Sequence, residues 1–165
     1  MYLNIVHRPR FGVIAGYANK VGSQLIYSSV TASCPFRAER EFDAVAAMKP
    51  RVKNPAIHIV VSLSPNHSLS DFQFVGLILW LRAVLDFGET QVMVWRHCDT
   101  AHSHIHALAN RITPTGKRCD LYGKGGLIKK FKRDADEFFG LDSLKSPRFT
   151  QADAEGMVTE IEASV

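Results

Sequence analysis

A histidine-rich segment is the part of this sequence best suited to chemistry. Four of the seven histidines lie in the run His97-Cys98-Asp99-Thr100-Ala101-His102-Ser103-His104-Ile105-His106. In a β-strand, alternate side chains project from the same face, so His104 and His106 would lie about 7 Å apart and could bind one ion. If the preceding strand pairs so that His97 lies opposite His104, three imidazoles share that face. The spacing predicts an open metal site, because three ligands leave positions for phosphate oxygens and water.

Two other polar residues of this segment allow more than one role. Asp99 is predicted to orient a ligand imidazole through a hydrogen bond, although aspartate is also common in turns. His102 is a candidate for a fourth ligand, a proton carrier or a turn residue, and the sequence does not separate these roles. A solvated cluster without metal is the alternative for the whole segment, but an H-x-D pattern followed by H-x-H favours metal binding.

Length and composition predict one cytoplasmic domain. The 165 residues are 46% hydrophobic, which is enough for one core, and the first ten do not resemble a signal peptide. No apolar run approaches the roughly 20 residues that cross a bilayer. Cys34, Cys98 and Cys119 form no C-x-x-C pair, so we expect reduced thiols and neither disulfides nor structural zinc. The net charge of +4 makes a polyanionic partner plausible without requiring one.

Periodicity predicts an α+β domain in which helices flank a central antiparallel sheet that carries the histidines. Ser70 and Gln73 form a capping-box pattern at the start of the clearest helix, which Gly88 would end. The predicted element order is βαβαβαββα. Its strands are expected at Tyr2–Val6, 24–32, Ala56–Leu63, 91–96 and 103–111, and its helices at 11–18, 39–48, 70–87 and 126–139. We expect a domain over residues 1–145 and an acidic C-terminal extension, or the start of a further region, over 146–165.

The histidine motif resembles that of a known enzyme family. The pattern His97-x-Asp99, followed by His104-x-His106-x3-Asn110-Arg111, is similar to the third motif of mobilisation relaxases in the HUH endonuclease superfamily, and most similar to their P class (MOBP). Upstream, Ile57-His58-Ile59-Val60-Val61-Ser62 resembles the second motif of the family. Phe131 to Leu141 resembles the helix with a terminal Gly-Leu that closes the family's core. The resemblance covers about residues 5–144.

This resemblance implies a nucleophile and a reaction. Relaxases carry a tyrosine near the N-terminus, and Tyr17 is the candidate because it lies at the flank of the apolar stripe Phe11/Ile14/Ala15/Ala18. Its phenol would attack a phosphodiester at an origin of transfer and form a 5′-phosphotyrosine, with Mg²⁺ or Mn²⁺ held by His97, His104 and His106. Asp99 would assist in catalysis. The candidate DNA-binding residues are Arg8, Arg10, Asn110, Arg111 and Lys117.

The resemblance also implies partners, and it leaves two rival functions. The expected partner is single-stranded DNA at the transfer origin, with accessory relaxosome proteins and a type IV secretion coupling protein as further candidates. A rolling-circle replication initiator or transposase is the first rival, since such enzymes place their tyrosine after the histidines, where Tyr122 stands. The second rival is an HUH module that binds DNA or metal without catalysis.

Overall fold

A five-stranded antiparallel sheet between two pairs of helices forms the domain in the computed structural model, which describes residues 1–32, 34–100 and 102–141. The strand order is β1-β3-β5-β4-β2. The predicted α+β class and element order are therefore confirmed. The strands are β1 (Tyr2–Arg8), β2 (Ser23–Ser28), β3 (Ala56–Ser62), β4 (Val92–His97) and β5 (His104–Asn110), and the helices are α1 (Phe11–Ala18), α2 (Pro35–Ala46), α3 (Asp71–Val84) and α4 (Gly125–Phe138).

The two faces of the sheet support two separate hydrophobic cores. On one face, α3 and α4 pack through side chains such as Phe74 and Phe131 against alternate strand residues, including Ile105. On the other face, α1 and α2 pack through Phe11 and Phe42, whose ring centroids lie 5.0 Å apart. Because strand side chains alternate, β2, β3, β4 and β5 contribute to both cores, while β1 contributes to the first through Leu3 and Ile5. The even-numbered residues of β5, which include the paired histidines, lie on the α1 and α2 face.

Several predicted boundaries differ from those of the structure. Helix α3 ends at Val84 and not at Phe87, so Gly88 does not end it. The second strand ends at Ser28 and does not continue to Ala32, because the Ser28 hydroxyl bonds the backbone of Val30 and turns the chain. Helix α2 begins at Pro35 and not at Glu39, which agrees with the tolerance of a helix's first turn for proline. The predicted capping box at Ser70 and Gln73 is present.

Helix α1 begins where another helix supplies its missing hydrogen-bond acceptor. Its N-cap residue, Arg10, makes no side-chain cap. The carboxylate of Glu39 in α2 instead accepts from the backbone N–H of Gly12 at 3.1 Å. A Cβ atom at residue 12 would lie 2.2 Å from that carboxylate, so glycine permits the approach. The glycine that weakens this helix by propensity thus allows it to be capped from outside.

The hairpin of β4 and β5 brings the histidines together. In its antiparallel register His97 pairs with His104 and Trp95 pairs with His106, so the predicted pairing of His97 with His104 is confirmed. The expected extension over residues 146–165 lies outside the described residues. Within the described parts of the chain, no helix combines the length and apolarity needed to span a membrane.

Candidate metal and DNA-cleavage site

Three histidine side chains converge at one end of the sheet. His97 ends β4, while His104 begins β5 and His106 follows two residues later. One ring nitrogen from each of them lies within 4.8 Å of the others, which is close enough for the three to bind a single ion. All three residues are buried, and His106 is completely inaccessible to solvent. Among the described residues, this is the group of side chains whose geometry suits a metal ion.

Hydrogen bonds to backbone carbonyl oxygens fix the orientation of two of the rings. The Nε2 atom of His97 lies 2.8 Å from the carbonyl oxygen of Ala18, and the Nδ1 atom of His104 lies 2.9 Å from that of His102. A carbonyl oxygen only accepts, so each of these nitrogens must carry the proton. The opposite nitrogens, Nδ1 of His97 and Nε2 of His104, therefore keep the lone pairs that bind metals.

The third ring is held by another histidine, His58 of β3. The Nε2 atom of His58 lies 2.9 Å from Nδ1 of His106, and the two rings stack with their centroids 5.1 Å apart. Nε2 of His106 and Nδ1 of His97 are buried, and neither atom has a hydrogen-bond partner among the described residues. Buried polar atoms are nearly always paired, so two unpaired imidazole nitrogens in one cluster fit a bound cation.

Sequence reasoning gave no site role to His58. A signal was available, because His58 occupies an even position in the strand quoted for the second family motif. The register pairs Val60 with His106 and His58 with Leu108, which places His58 beside His106 on the same face of the sheet. Only the pairing of β3 with β5 shows this proximity.

Burial favours the neutral form of His58, His97 and His106, and the neutral form is the one that binds metals. Loss of hydration lowers the pKa of His97, although its bond to Ala18 opposes the shift. Burial, with contributions from His58 and His97, lowers the pKa of His106 far below its ordinary value. Burial also lowers the pKa of His58, to about 4. At neutral pH His58, His97 and His106 are therefore uncharged, and the lone pairs of His97 and His106 are available.

Tyr17 faces this cluster from α1. Its ring centroid lies 5.2 Å from that of His106, in an edge-on arrangement, and 6.0 Å from that of His97. Phe11, Ile14, Ala15 and Ala18 are buried, whereas Tyr17 is only partly buried. The predicted position of Tyr17 at the flank of the apolar stripe is the position it occupies.

An ion pair borders the site beside Tyr17. The carboxylate of Asp99 lies 2.6 Å from Nζ of Lys20, and its other oxygen lies 3.4 Å from Nε2 of His104. Desolvation opposes ionisation of Asp99, but the hydrogen bond and charge of Lys20 hold its pKa below the ordinary value. The structure thus places Asp99 near the His104 imidazole, but the bond that orients this ring comes from the His102 carbonyl oxygen, so an orienting role for Asp99 stays a prediction. Lys20, which sequence reasoning did not select, lies beside it.

The remaining residues of the histidine segment point elsewhere. His102 is exposed, and its Nδ1 atom lies 3.3 Å from the carbonyl oxygen of Leu63, so it lies outside the three-histidine group.

The three cysteines are free thiols. Cys34 and Cys98 are exposed, and Cys119 is buried. The expectation of cysteines without disulfides is met.

Three candidate DNA-binding residues lie near the end of the sheet that is opposite to His97, His104 and His106, the three-histidine group that we call the metal cluster. Asn110 is fully buried, and its amide donates to the carbonyl oxygen of Phe42 and to the side chain of Gln91. Arg111 is also buried and donates to the carbonyl oxygen of Asn54. Lys117 is exposed and lies 3.8 Å from Asp86. In this structure the Asn110 and Arg111 side chains bond other parts of the chain, and their contact with DNA stays a prediction.

Arg8 and Arg10 remain candidates for DNA contact. Arg8 pairs with Ala56, so its side chain lies on the α1 and α2 face of the sheet, and its charge contributes to lowering the pKa of His58 after the larger effect of burial. Arg10 is exposed just before α1. Both residues lie nearer to the far end of the sheet than to the metal cluster, since Arg8 aligns through Ala56 with Asn110.

Tyr122, the alternative nucleophile, is not at the metal cluster. It is exposed, its ring centroid lies 5.5 Å from that of His7, and the Arg111 guanidinium lies 5.7 Å from its ring. His7 pairs with Ile57, one residue from the end of β1 that is distant from His104. This placement argues against the arrangement of a replication initiator, in which a tyrosine after the histidines would face the metal.

The comparison with protein families agrees with this geometry. The family model described as "Relaxase: MobA/VirD2-like, nuclease domain" matches residues 14–137, which is more than half of the chain. No curated protein and no solved structure gives a match. The chain belongs to the relaxase family and contains its nuclease domain, which acts on single-stranded DNA. The match does not distinguish the P class from other relaxases.

Proposed function

We propose that this protein is a relaxase that nicks one DNA strand at an origin of transfer during conjugative transfer and remains attached to it through Tyr17. The observation that carries this proposal is the position of the Tyr17 ring beside three buried histidines. The Tyr17 oxygen and a cation held by these histidines could therefore engage the same phosphate group.

His97, His104 and His106 would hold a divalent cation, and Mg²⁺ and Mn²⁺ are our candidates. The fit is supported by the two buried, unpartnered nitrogens and by the hydrogen bonds that orient the other side of each ring. When bound, such a cation supplies Lewis-acid stabilisation of the charge that develops on a non-bridging phosphate oxygen.

The chain's own groups supply the rest of the reaction. The Tyr17 oxygen forms a bond to phosphorus as the bond from phosphorus to the 3′-oxygen breaks. The phenolic proton is released to solvent, and the departing 3′-oxygen takes up a proton to become a hydroxyl. The phosphodiester is replaced by a 5′-phosphotyrosine, so the reverse reaction can rejoin the strand without an energy source.

The experiment that tests the proposal is the substitution Tyr17→Phe. This variant keeps the aromatic ring and loses the attacking oxygen, so it should bind a transfer-origin oligonucleotide normally and form no covalent adduct. The adduct would be detected as a protein band shifted by a 3′-labelled single strand, in the presence of Mn²⁺.

Tyr122→Phe is the matched control, because it removes the oxygen of an exposed tyrosine that lies away from the cluster. It should form the adduct at the normal rate. If the Tyr17→Phe protein still formed the adduct, the proposed nucleophile would be wrong. Loss of the adduct in Tyr122→Phe alone would favour the replication initiator.

A further inference from the structure

Lys20 is held beside Tyr17 by the turn that follows α1. The backbone N–H and the hydroxyl of Ser23 both donate to the carbonyl oxygen of Lys20, at 3.0 Å and 2.7 Å. Ser23 is the first residue of β2 and pairs with His97 of β4. The backbone of Lys20 is thus fixed to the same end of the sheet as the metal cluster.

The Lys20 side chain lies between the nucleophile and the histidine segment. Its Nζ atom lies 4.8 Å from the centre of the Tyr17 ring and 2.6 Å from the carboxylate of Asp99. The other oxygen of Asp99 reaches toward Nε2 of His104. A line of contacts therefore joins Tyr17 to the metal cluster through one cation and one anion.

Lys20 stays protonated in this setting. Burial favours the neutral amine, but contacts with Asp99 and Tyr17 outweigh it and raise the pKa of Lys20 above its ordinary value. The side chain is about one third exposed, at 36%, so a DNA strand could reach the ammonium group. At neutral pH the ammonium group is a positive charge that faces the ring of Tyr17.

We propose that Lys20 is a catalytic residue of the cleavage reaction, which supplies a second positive charge at the Tyr17 oxygen and the phosphate group. This inference rests on the proposed function, since it takes Tyr17 as the nucleophile. The ammonium stabilises negative charge on the attacking oxygen and on the phosphorane-like transition state, and it remains protonated throughout. Asp99 positions Lys20 by holding its amine toward the ring of Tyr17.

The competing explanation is a surface ion pair that has only a structural role. Exposed ion pairs contribute little to stability, so removal of Lys20 should leave the fold intact in either case. The two explanations differ in the cleavage rate at saturating DNA and saturating metal, which only the catalytic role would change.

The test compares Lys20→Ala and Lys20→Arg in single-turnover cleavage of an origin oligonucleotide with saturating Mn²⁺. Lys20→Ala should reduce the rate by about 100-fold, the scale expected for one charge-stabilising group, while Lys20→Arg should retain most of the activity. Lys130→Ala, which removes an exposed lysine of α4 on the other face of the sheet, should cleave at the normal rate.

Chemical rescue distinguishes catalysis from structure. Added methylammonium should restore part of the Lys20→Ala rate, because it can occupy the vacated position and donate hydrogen bonds. Tetramethylammonium at the same ionic strength should not restore it, because it has no N–H group. Normal cleavage by Lys20→Ala, or a reduced rate that neither Lys20→Arg nor methylammonium improves, would overturn the proposal. Failure of the proposed function is a separate result, recognised by adduct formation in Tyr17→Phe.

Discussion

Each imidazole of the histidine cluster uses one nitrogen for the protein and keeps the other for a ligand. The partners differ, since backbone carbonyl oxygens accept from His97 and His104, and His58 pairs with His106. These bonds fix the orientation of the rings, and the carbonyl oxygens also fix the protonated nitrogen of His97 and His104, which prepares the site before an ion binds. The cluster therefore has the properties of an assembled metal site, with ligands drawn from two neighbouring strands.

Removal of two of these ligands should abolish metal-stimulated cleavage. In the double variant His104→Ala/His106→Ala, a single imidazole remains, so cleavage with Mn²⁺ should fall to the rate measured in excess chelator. Far-UV circular dichroism should be unchanged, because the backbone pairing of β5 doesn't depend on these rings.

The control for this prediction is His102→Ala. This residue belongs to the same segment but is exposed and outside the cluster, and its backbone carbonyl still accepts from His104 after the substitution. Its metal dependence should match that of the unmodified protein. Undiminished metal stimulation in the double variant would refute the assignment of the ligands.

Helix α1 is the element that positions Tyr17, the proposed nucleophile. Its buried residues pack against α2 and the sheet, and its last residue, Ala18, accepts the hydrogen bond from His97. The metal cluster and Tyr17 are consequently linked through the end of one short helix. Its stability should depend on the external cap that Glu39 provides at Gly12.

Two glycines of α1 should respond to alanine in opposite directions. Gly16→Ala should raise the free energy of unfolding by about 0.5–1 kcal/mol, because a Cβ there meets nothing within 4 Å and alanine favours a helix. Gly12→Ala should lower it by roughly 1 kcal/mol, because the new Cβ displaces the Glu39 carboxylate and a charge-assisted bond is worth more than the gain in propensity.

Urea denaturation of the two variants measures both effects, and each serves as the control for the other. Equal stabilisation by the two substitutions would show that the Glu39 cap contributes nothing to α1. Loss of stability in Gly16→Ala would contradict the structure, in which the helix face that bears this residue is open.

At the scale of the whole molecule, the ends of the sheet carry different groups. The metal cluster, Tyr17 and Lys20 lie at one end, and Asn110, with Arg111 following it, lies at the other. Arg8 lies at this second end too, on the edge strand β1, whose residues are absent from the core beneath α1 and α2. A single strand that leaves the cluster along this edge could reach Arg8.

Salt dependence of DNA binding should therefore distinguish Arg8 from Lys117. Phosphate contacts release counterions, so the affinity for a single strand should fall with salt. In Arg8→Ala the slope of log affinity against log salt should become shallower by about 0.7, the value for one phosphate contact on a single strand. Fluorescence anisotropy with a labelled origin oligonucleotide measures the slope.

Lys117→Ala removes the same charge from an exposed position, so the two variants have equal net charge. Its slope should stay that of the unmodified protein, because Lys117 lies away from the cluster beside Asp86. A smaller slope in Lys117→Ala than in Arg8→Ala would place the strand on another surface.

Local patterns determined much of the fold and part of the site. The alternation of side chains in a strand put His104 and His106 on one face, and the capping box at Ser70 marked the start of α3. These features depend on residues a few positions apart, and the sequence displays them directly. The position of Tyr17 at the flank of the α1 stripe was predictable for the same reason.

Contacts between distant residues decided the rest. His58 and His106 are separated by 48 positions, and Ala18 and His97 by 79, so no local pattern could reveal which ring nitrogens face inward. The bond of the buried Asn110 amide to the Phe42 carbonyl oxygen, 68 positions away, likewise has no local signature in the sequence. The sequence itself determined which residues could bind a metal, because residue type and strand period are local. The packing of strands and helices decided which imidazole nitrogens are free to bind a metal, and it placed the charge of Lys20 beside Tyr17.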